Sequence, residues 1–122
     1  MGYAMGEESD DGAVRALLEL RSGIERTITE LTAAAERADQ LVELRRRGRS
    51  WYDIVSSEEP PLVIEAVTRV LDELGELGGR VRREEALALQ REDVSITRIG
   101  ELFRVSRQRA SALLQDRPAR TS

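Results

Sequence analysis

Residues 95–114 read SITRIGELFRVSRQRASALL, and the spacing of apolar residues in this stretch decides the fold. In its first half three apolar side chains recur every three or four positions, which places them on one face of a short helix: Ile96, Ile99 and Phe103. Ser95 or Thr97 can cap that helix at its N-terminus. Gly100 is small at the point where a second helix has to cross closely.

The second half of the stretch predicts another short helix. A turn at Arg104–Val105, with Val105 in the core, leads to Ser106, which can cap the new helix. The inward face of that helix is formed by Ala110, Leu113 and Leu114. Two short helices joined by a tight turn, with a small residue at their crossing, form a helix-turn-helix unit.

Residues 82–115, and above all the segments IGELF and VSRQRASALL, resemble bacterial helix-turn-helix transcriptional regulators of the actinobacterial type, related to region 4 of sigma factors. The resemblance implies that the second helix enters the major groove of DNA. It implies four base-contacting residues, Arg107, Gln108, Arg109 and Ser111. Backbone phosphates would be contacted by Arg91, Ser95, Thr97, Arg98, Arg104 and Ser106. The chain departs from the family at Arg104, where Gly is usual, and at Ala110, where Val or Ile is more frequent.

The charge distribution favours the same region. The net charge is −4, but residues 80–122 contain ten Arg and six acidic residues, whereas residues 1–79 are acidic. All 19 basic residues are Arg, a residue that suits phosphate and guanine and is also favoured by GC-rich codon usage. A basic C-terminal region on an acidic body is what local contact with DNA requires.

Composition predicts an all-α protein and excludes several classes of site. Leu, Ala, Glu and Arg are frequent, aromatic residues are only 3% of the chain, and no segment alternates as a strand does. The chain has no Cys and no His, which excludes disulfides, Cys/His zinc sites and His-based triads. We therefore expect no enzyme activity, no metal and no cofactor. The sequence shows no signal peptide and no apolar run of membrane-spanning length, so we expect a cytoplasmic, nucleoid-associated protein without membrane contact.

Before the helix-turn-helix, the sequence predicts a long helix that mediates dimerisation. Residues 1–9 form an acidic tail that we expect to be disordered, and Asp10 or Asp11 can cap a helix that then runs to Arg47. Its apolar residues follow a heptad-like seam: Ile24, Ile28, Leu31, Ala35, Ala38 and Val42. Such a helix either pairs with a second copy in a homodimer or breaks near Ser22–Gly23 and folds back. Because the heptad-like seam provides a means of pairing, we expect the homodimer and assign residues 10–47 to dimerisation.

A weak internal repeat marks the central unit, residues 48–79. Residues 44–55 align without a gap with residues 89–100, and Leu, Arg, Ser and Ile recur at the same positions. We interpret residues 41–74 as a degenerate helix-turn-helix copy used for packing or partner binding, because Glu65, Asp72 and Glu73 would repel phosphates. Trp51 is predicted to anchor its core. We expect helices over residues 62–77 and 82–92, separated at Gly78–Gly79.

The resulting prediction is an all-α chain with a long N-terminal helix, a possible coiled coil, followed by a small helical bundle with a C-terminal helix-turn-helix. That region spans residues 80–115, and residues 116–122 form a flexible tail. The expected function is sequence-specific binding of double-stranded DNA by a homodimeric transcriptional regulator. The alternative is a protein-interaction module, such as an accessory protein of RNA polymerase or of a sigma factor, which would use the acidic middle helices.

Overall fold

The computed structural model describes residues 11–115, and this part of the chain is all-α. Five helices follow one another: α1 (Gly12–Arg46), α2 (Trp51–Ser57), α3 (Val63–Arg91), α4 (Ile96–Phe103) and α5 (Arg107–Gln115). The tails predicted over residues 1–9 and 116–122 lie outside the described residues. Among the five helices, none is both long enough and apolar enough to cross a membrane.

Helix α1 is continuous over 35 residues. Asp11 caps it as predicted, since its Oδ1 accepts hydrogen bonds from the amides of Ala13, at 2.9 Å, and Val14, at 3.3 Å. Of the two alternatives for this helix, the break near Ser22–Gly23 does not occur: the helix is continuous there, and Gly23 is buried.

The residues that α1 buries are not those of the predicted seam. Its buried and half-buried positions step by three and four along another stripe: Ala16, Leu20, Gly23, Thr27, Leu31, Ala34, Arg37, Leu41 and Leu44. Of the six seam residues only Leu31 is shared with this stripe. The other five are exposed, Ile28 to 60%. Helix α1 therefore packs within its own chain through one face and leaves the heptad-like seam on the surface.

Helix α3 corrects the prediction of two separate helices. It runs unbroken through Gly75, Gly78 and Gly79, where we expected an interruption. Glycine in a helix costs about 1 kcal/mol relative to alanine, but packing of an apolar face routinely outweighs that cost. The apolar face does continue across the glycines, through Val70, Leu74, Leu77 and Val81. Leu71 lies off this face and is exposed.

The described part of the chain divides into two compact units, residues 21–76 and residues 77–115 together with 11–20. The first unit buries Ile54 and Val70. The core of the second contains Ala86, Ile99 and Ala110, all fully buried. Partly buried apolar residues pack around this second core: Leu89, Val94, Ile96, Phe103, Leu113 and Leu114. The predicted boundaries at residues 48, 80 and 116 stay predictions.

Candidate nucleic-acid interface

Helix α4 forms the base of the candidate interface. Ser95 is its N-cap, and its Oγ accepts a hydrogen bond from the amide of Arg98 at 3.1 Å. Ile99 is fully buried, and Gly100 faces the turn that follows. A Cβ at Gly100 would lie 3.0 Å from the carbonyl oxygen of Val105. The close approach predicted for Gly100 is therefore real, and its partner is the backbone of the turn.

The turn between α4 and α5 is held by two backbone hydrogen bonds. The amide of Val105 donates to the carbonyl of Gly100 at 2.9 Å, and that of Arg104 donates to the carbonyl of Glu101 at 3.2 Å. This is a Schellman motif, in which one residue takes the left-handed conformation. That residue is Arg104, with φ 61° and ψ 42°. Val105 is 36% exposed, so its predicted place in the core was wrong, because the left-handed turn leaves its side chain at the surface.

Helix α5 packs on the core through one face and exposes the opposite face. Ser106 caps the helix, because its Oγ accepts from the amide of Arg109 at 3.0 Å. Ala110 is fully buried, and Leu113 and Leu114 pack beside it. The four predicted base-contacting residues lie outside this packed face: Arg107, Gln108 and Arg109 are exposed, and Ser111 is half-buried.

Sequence reasoning missed two residues on the exposed face of α5. Ala112 and Gln115 follow Gln108 at intervals of four and three, and all three are exposed. Ala112 was overlooked because an alanine in an apolar run is usually assigned to the core. An exposed methyl group at this position can contact the methyl group of thymine in a major groove.

Besides the capping serines, two of the predicted phosphate-contacting residues, Thr97 and Arg98, already have side-chain partners within the chain. The Nε of Arg107 donates to Oγ1 of Thr97 at 3.2 Å, which ties the start of α5 to α4. Arg98 donates from NH1 to Oε1 of Glu101 at 3.0 Å, and both side chains are exposed. Arg91, Arg104 and the caps Ser95 and Ser106 are exposed. The structure therefore places the predicted residues around the corner that precedes α4 and along the start of α5.

Arg82 makes a contact that the sequence did not reveal. Its guanidinium carbon lies 4.3 Å from the centre of the Phe103 ring, a cation–π geometry. The contact joins the C-terminal half of α3 to the last residue of α4. Arg82 thereby helps to hold the end of α4, from which the turn into α5 starts.

The corner before α4 has a counterpart 45 residues earlier. We call residues 44–55 the first corner and residues 89–100 the second corner. In each, one residue has a positive φ, Gly48 at 94° and Asp93 at 66°. Each also has the two Schellman hydrogen bonds, at 2.9 and 3.2 Å around Gly48 and at 2.9 and 3.0 Å around Asp93.

The equivalence continues into the following helix. Ser50 caps α2 with φ −72° and ψ 154°, and Ser95 caps α4 with φ −70° and ψ 156°. Four residues after each cap stands the most buried isoleucine of its unit, Ile54 or Ile99. The weak alignment therefore corresponds to the same local backbone in both corners.

Even the contact made by Arg82 has an equivalent. Arg37 stands 45 residues before Arg82, and Glu58 stands 45 residues before Phe103. Arg37 forms an ion pair with Glu58 at 2.7 Å, where Arg82 instead covers the Phe103 ring. The same two positions join the first helix to the second in both modules, which we define as residues 37–71 and 82–115.

Trp51 is not the core anchor that we predicted. It is 53% exposed, and its neighbour Tyr52 is 80% exposed. Arg45 lies over the Trp51 ring at 5.3 Å and donates from NH1 to the carbonyl oxygen of Arg49 at 3.1 Å. Ile54 occupies the buried position of α2, and this leaves Trp51 on the outer surface of the first corner.

Comparison of the chain with models of protein families, with characterised proteins and with solved structures gave no match.

Proposed function

We propose that the chain is a sequence-specific, double-stranded DNA-binding transcriptional regulator that acts through α5, as a homodimer. One observation carries the proposal: Ala110 is fully buried while Arg107, Gln108 and Arg109 are exposed at the N-terminal end of the same helix. Arg can read the O6 and N7 atoms of guanine in a bidentate manner, and Gln can read adenine. A helix supported from behind and polar in front suits insertion into a major groove.

The surroundings of α5 support the same proposal. Residues 80–122 contain ten Arg and six acidic residues, although the whole chain has a net charge of −4. Arg91 and Arg104 are exposed on the corner and the turn that flank α4. Phosphate contacts from such positions fix the register of a recognition helix without selecting a base.

The homodimer is supported by the exposed seam on α1. Ile24, Ile28 and Val42 are exposed at heptad-like intervals on a helix that already packs within its own chain. A second copy of this seam is the occupant that the spacing favours, since interlocking of such residues requires a matching helix. Two copies would also present two α5 helices, as a two-fold-symmetric DNA site requires.

The experiment is selection of bound sequences from random duplexes, followed by gel-shift titration of the selected site. Replacing Arg107 and Gln108 by Ala should weaken specific binding at least 10-fold, since each bidentate base contact contributes about 1–3 kcal/mol. The matched control replaces Arg26 and Gln40 by Ala, an exposed Arg and an exposed Gln of α1. Unaltered binding by the Arg107/Gln108 variant would reject the proposal.

A second candidate function is favoured by the exposed face of α3. Ile64 and Leu71 are exposed beside Asp72 and Glu73, which suits a protein partner with a basic, partly apolar surface, such as RNA polymerase or a sigma factor. Replacing Asp72 by Arg should then abolish recovery of the polymerase in a pull-down. Glu65 is unsuitable for this test, because its Oε1 accepts a hydrogen bond from the amide of Leu62 at 3.0 Å.

A further inference from the structure

We infer that the first corner is a second nucleic-acid contact, which binds the sugar–phosphate backbone of double-stranded DNA without reading its bases. The inference rests on the proposed function of α5 and adds a separate surface to it. This surface consists of Arg45, Arg46, Arg47, Arg49, Trp51 and Tyr52.

The first observation is the concentration of charge. Residues 21–76 contain eight Arg and twelve acidic residues, yet four of the eight Arg fall within residues 45–49. All four are exposed. Arg46 and Arg49 extend from the corner with side chains that no hydrogen bond or ion pair engages among the described residues. A basic cluster within an acidic unit is the distribution expected of a localised phosphate contact.

The second observation is the exposure of two adjacent aromatic side chains. Trp51 and Tyr52 lie at the surface within the basic cluster, and Arg45 covers part of the indole. Arg and Tyr side chains hydrogen-bond the phosphate oxygens and sugars of a duplex, and an exposed indole beside them can pack against the same backbone. A role in the core does not explain the tryptophan at position 51, because Ile54 fills the core position of α2 and Trp51 is exposed.

The third observation is the equivalence of the two corners. Arg46 and Tyr52 stand 45 residues before Arg91 and Thr97, two of the proposed phosphate-contacting residues. The backbone of the two corners has matching hydrogen bonds, so these side chains leave equivalent points of the chain. The first corner therefore presents side chains from the same backbone positions as the second corner, with a larger positive charge.

The first module cannot read bases in the way that α5 does. Aligning the cap Leu62 with Ser106 places Val63, Ile64 and Glu65 at the positions of Arg107, Gln108 and Arg109. These side chains offer no donor for a guanine or adenine edge, and Glu65 repels phosphates. The contact made by the first corner is therefore independent of sequence.

Trp51 is the single tryptophan of the chain, so it reports directly on this surface. We would titrate the full chain with its selected duplex and with a random duplex of equal length, and measure acrylamide quenching of tryptophan fluorescence. Both duplexes should protect Trp51. The Arg107→Ala/Gln108→Ala variant should retain that protection on the random duplex at low salt.

The matching affinity test replaces Arg46 and Arg49 by Ala, with Arg21→Ala/Arg26→Ala as a control of equal charge on exposed positions of α1. The corner variant should bind both duplexes on the order of 10-fold more weakly, with a salt slope lower by about 2. The control should retain the wild-type slope.

Three results would overturn the inference, and each can be distinguished from the others. If the corner variant behaves as the control and Trp51 stays accessible to acrylamide while α5 binds its site, the first corner does not contact DNA and the proposed function stands. If the wild-type chain binds no duplex at low salt, both proposals fail together. If an acidic subunit of RNA polymerase protects Trp51 from acrylamide and DNA does not, the surface binds a protein partner. That result would also overturn the inference.

Discussion

The two modules share a backbone and differ in what they place on it. In both, the first helix is followed by a left-handed residue, a serine cap and a buried isoleucine, and an Arg of that first helix contacts the end of the second. They diverge after that second helix. The second module turns within three residues, through Arg104, into the short helix α5, whereas the first needs five residues, 58–62, to enter the long helix α3.

This difference indicates that the conformation of the corner does not determine the third helix of a module, which is α3 in the first module and α5 in the second. The corner is a local structure, fixed by caps and hydrogen bonds between residues within five positions of one another, and it tolerates Gly or Asp at its left-handed residue. The third helix depends on the turn before it. Where that turn is tight, the helix presents polar residues; where it is longer, the same positions are Val63 and Ile64.

The largest expected effect is the loss of stability when either buried isoleucine is truncated, and it tests whether Ile54 and Ile99 are equivalent. Replacing Ile54 or Ile99 by Ala should lower the free energy of unfolding by about 2–5 kcal/mol in each case, because a fully buried side chain leaves a cavity. Urea denaturation measures both. Only the Ile99 variant should also lose specific DNA binding under conditions in which it remains folded, since Ile99 supports the platform of α5. Equal loss of binding by the Ile54 variant would contradict the separation of the modules.

The next effect compares the two Arg contacts. Glu58 is only 8% exposed at its side chain, and it accepts both from Arg37 and from the amide of Val63 at 2.9 Å. Replacing Arg37 by Ala should cost about 1.5–3 kcal/mol, the range for a hydrogen bond to a charged group. Replacing Arg82 by Ala removes a cation–π contact at a half-exposed site, for about 0.5–1 kcal/mol.

The control for that comparison is a second change in the same background. In the Arg37→Ala chain, replacing Glu58 by Gln removes the charge left without its partner and should recover part of the lost stability in urea denaturation. A larger loss from Arg82→Ala than from Arg37→Ala would show that the ring contact, and not the ion pair, is the stronger of the two.

A smaller effect is expected from substituting the residues that follow the two isoleucines. Gly100 follows Ile99, and Val55, which is exposed, follows Ile54. Gly100→Val should destabilise by about 1–3 kcal/mol, the range for overpacking, because its Cβ would lie 3.0 Å from the carbonyl oxygen of Val105. Val55→Ala should change stability by less than about 0.5 kcal/mol, as surface substitutions usually do. Thermal unfolding followed by circular dichroism compares the two directly.

The sequence predicted the parts of the fold that depend on near neighbours. The caps Asp11, Ser95 and Ser106 could be predicted because a serine or aspartate before an apolar period is a local signal. The buried residues of α4 and α5 followed from their spacing. The internal alignment, although weak, identified two stretches with matching backbone hydrogen bonds.

The predictions that were wrong depend on what a segment packs against. Gly78–Gly79 resembled a break, but the apolar face of α3 continues past it, and the cost of two glycines is smaller than the packing of that face. Trp51 resembled a core residue because large aromatics usually are, yet the neighbouring Ile54 fills that position. The seam on α1 was read correctly as apolar, but a second stripe on the same helix is the one buried within the chain.

The smallest expected effect concerns the left-handed residues themselves. Arg104 has φ 61°, a conformation that costs a residue with a side chain about 1 kcal/mol relative to glycine. Arg104→Gly should therefore raise the free energy of unfolding by up to about 1 kcal/mol, and Gly48→Ala should lower it by a similar amount because Gly48 has φ 94°.

The two changes separate stability from DNA binding. Arg104→Gly stabilises the turn but removes an exposed guanidinium next to α5, so it should weaken binding to all duplexes about equally and lower the salt slope by about 1. Gly48→Ala removes no charge and should leave the slope unchanged. A stabilised Arg104→Gly chain with an unchanged slope would show that Arg104 serves only the turn, and phosphate contact in the second module would then rest on the corner before α4.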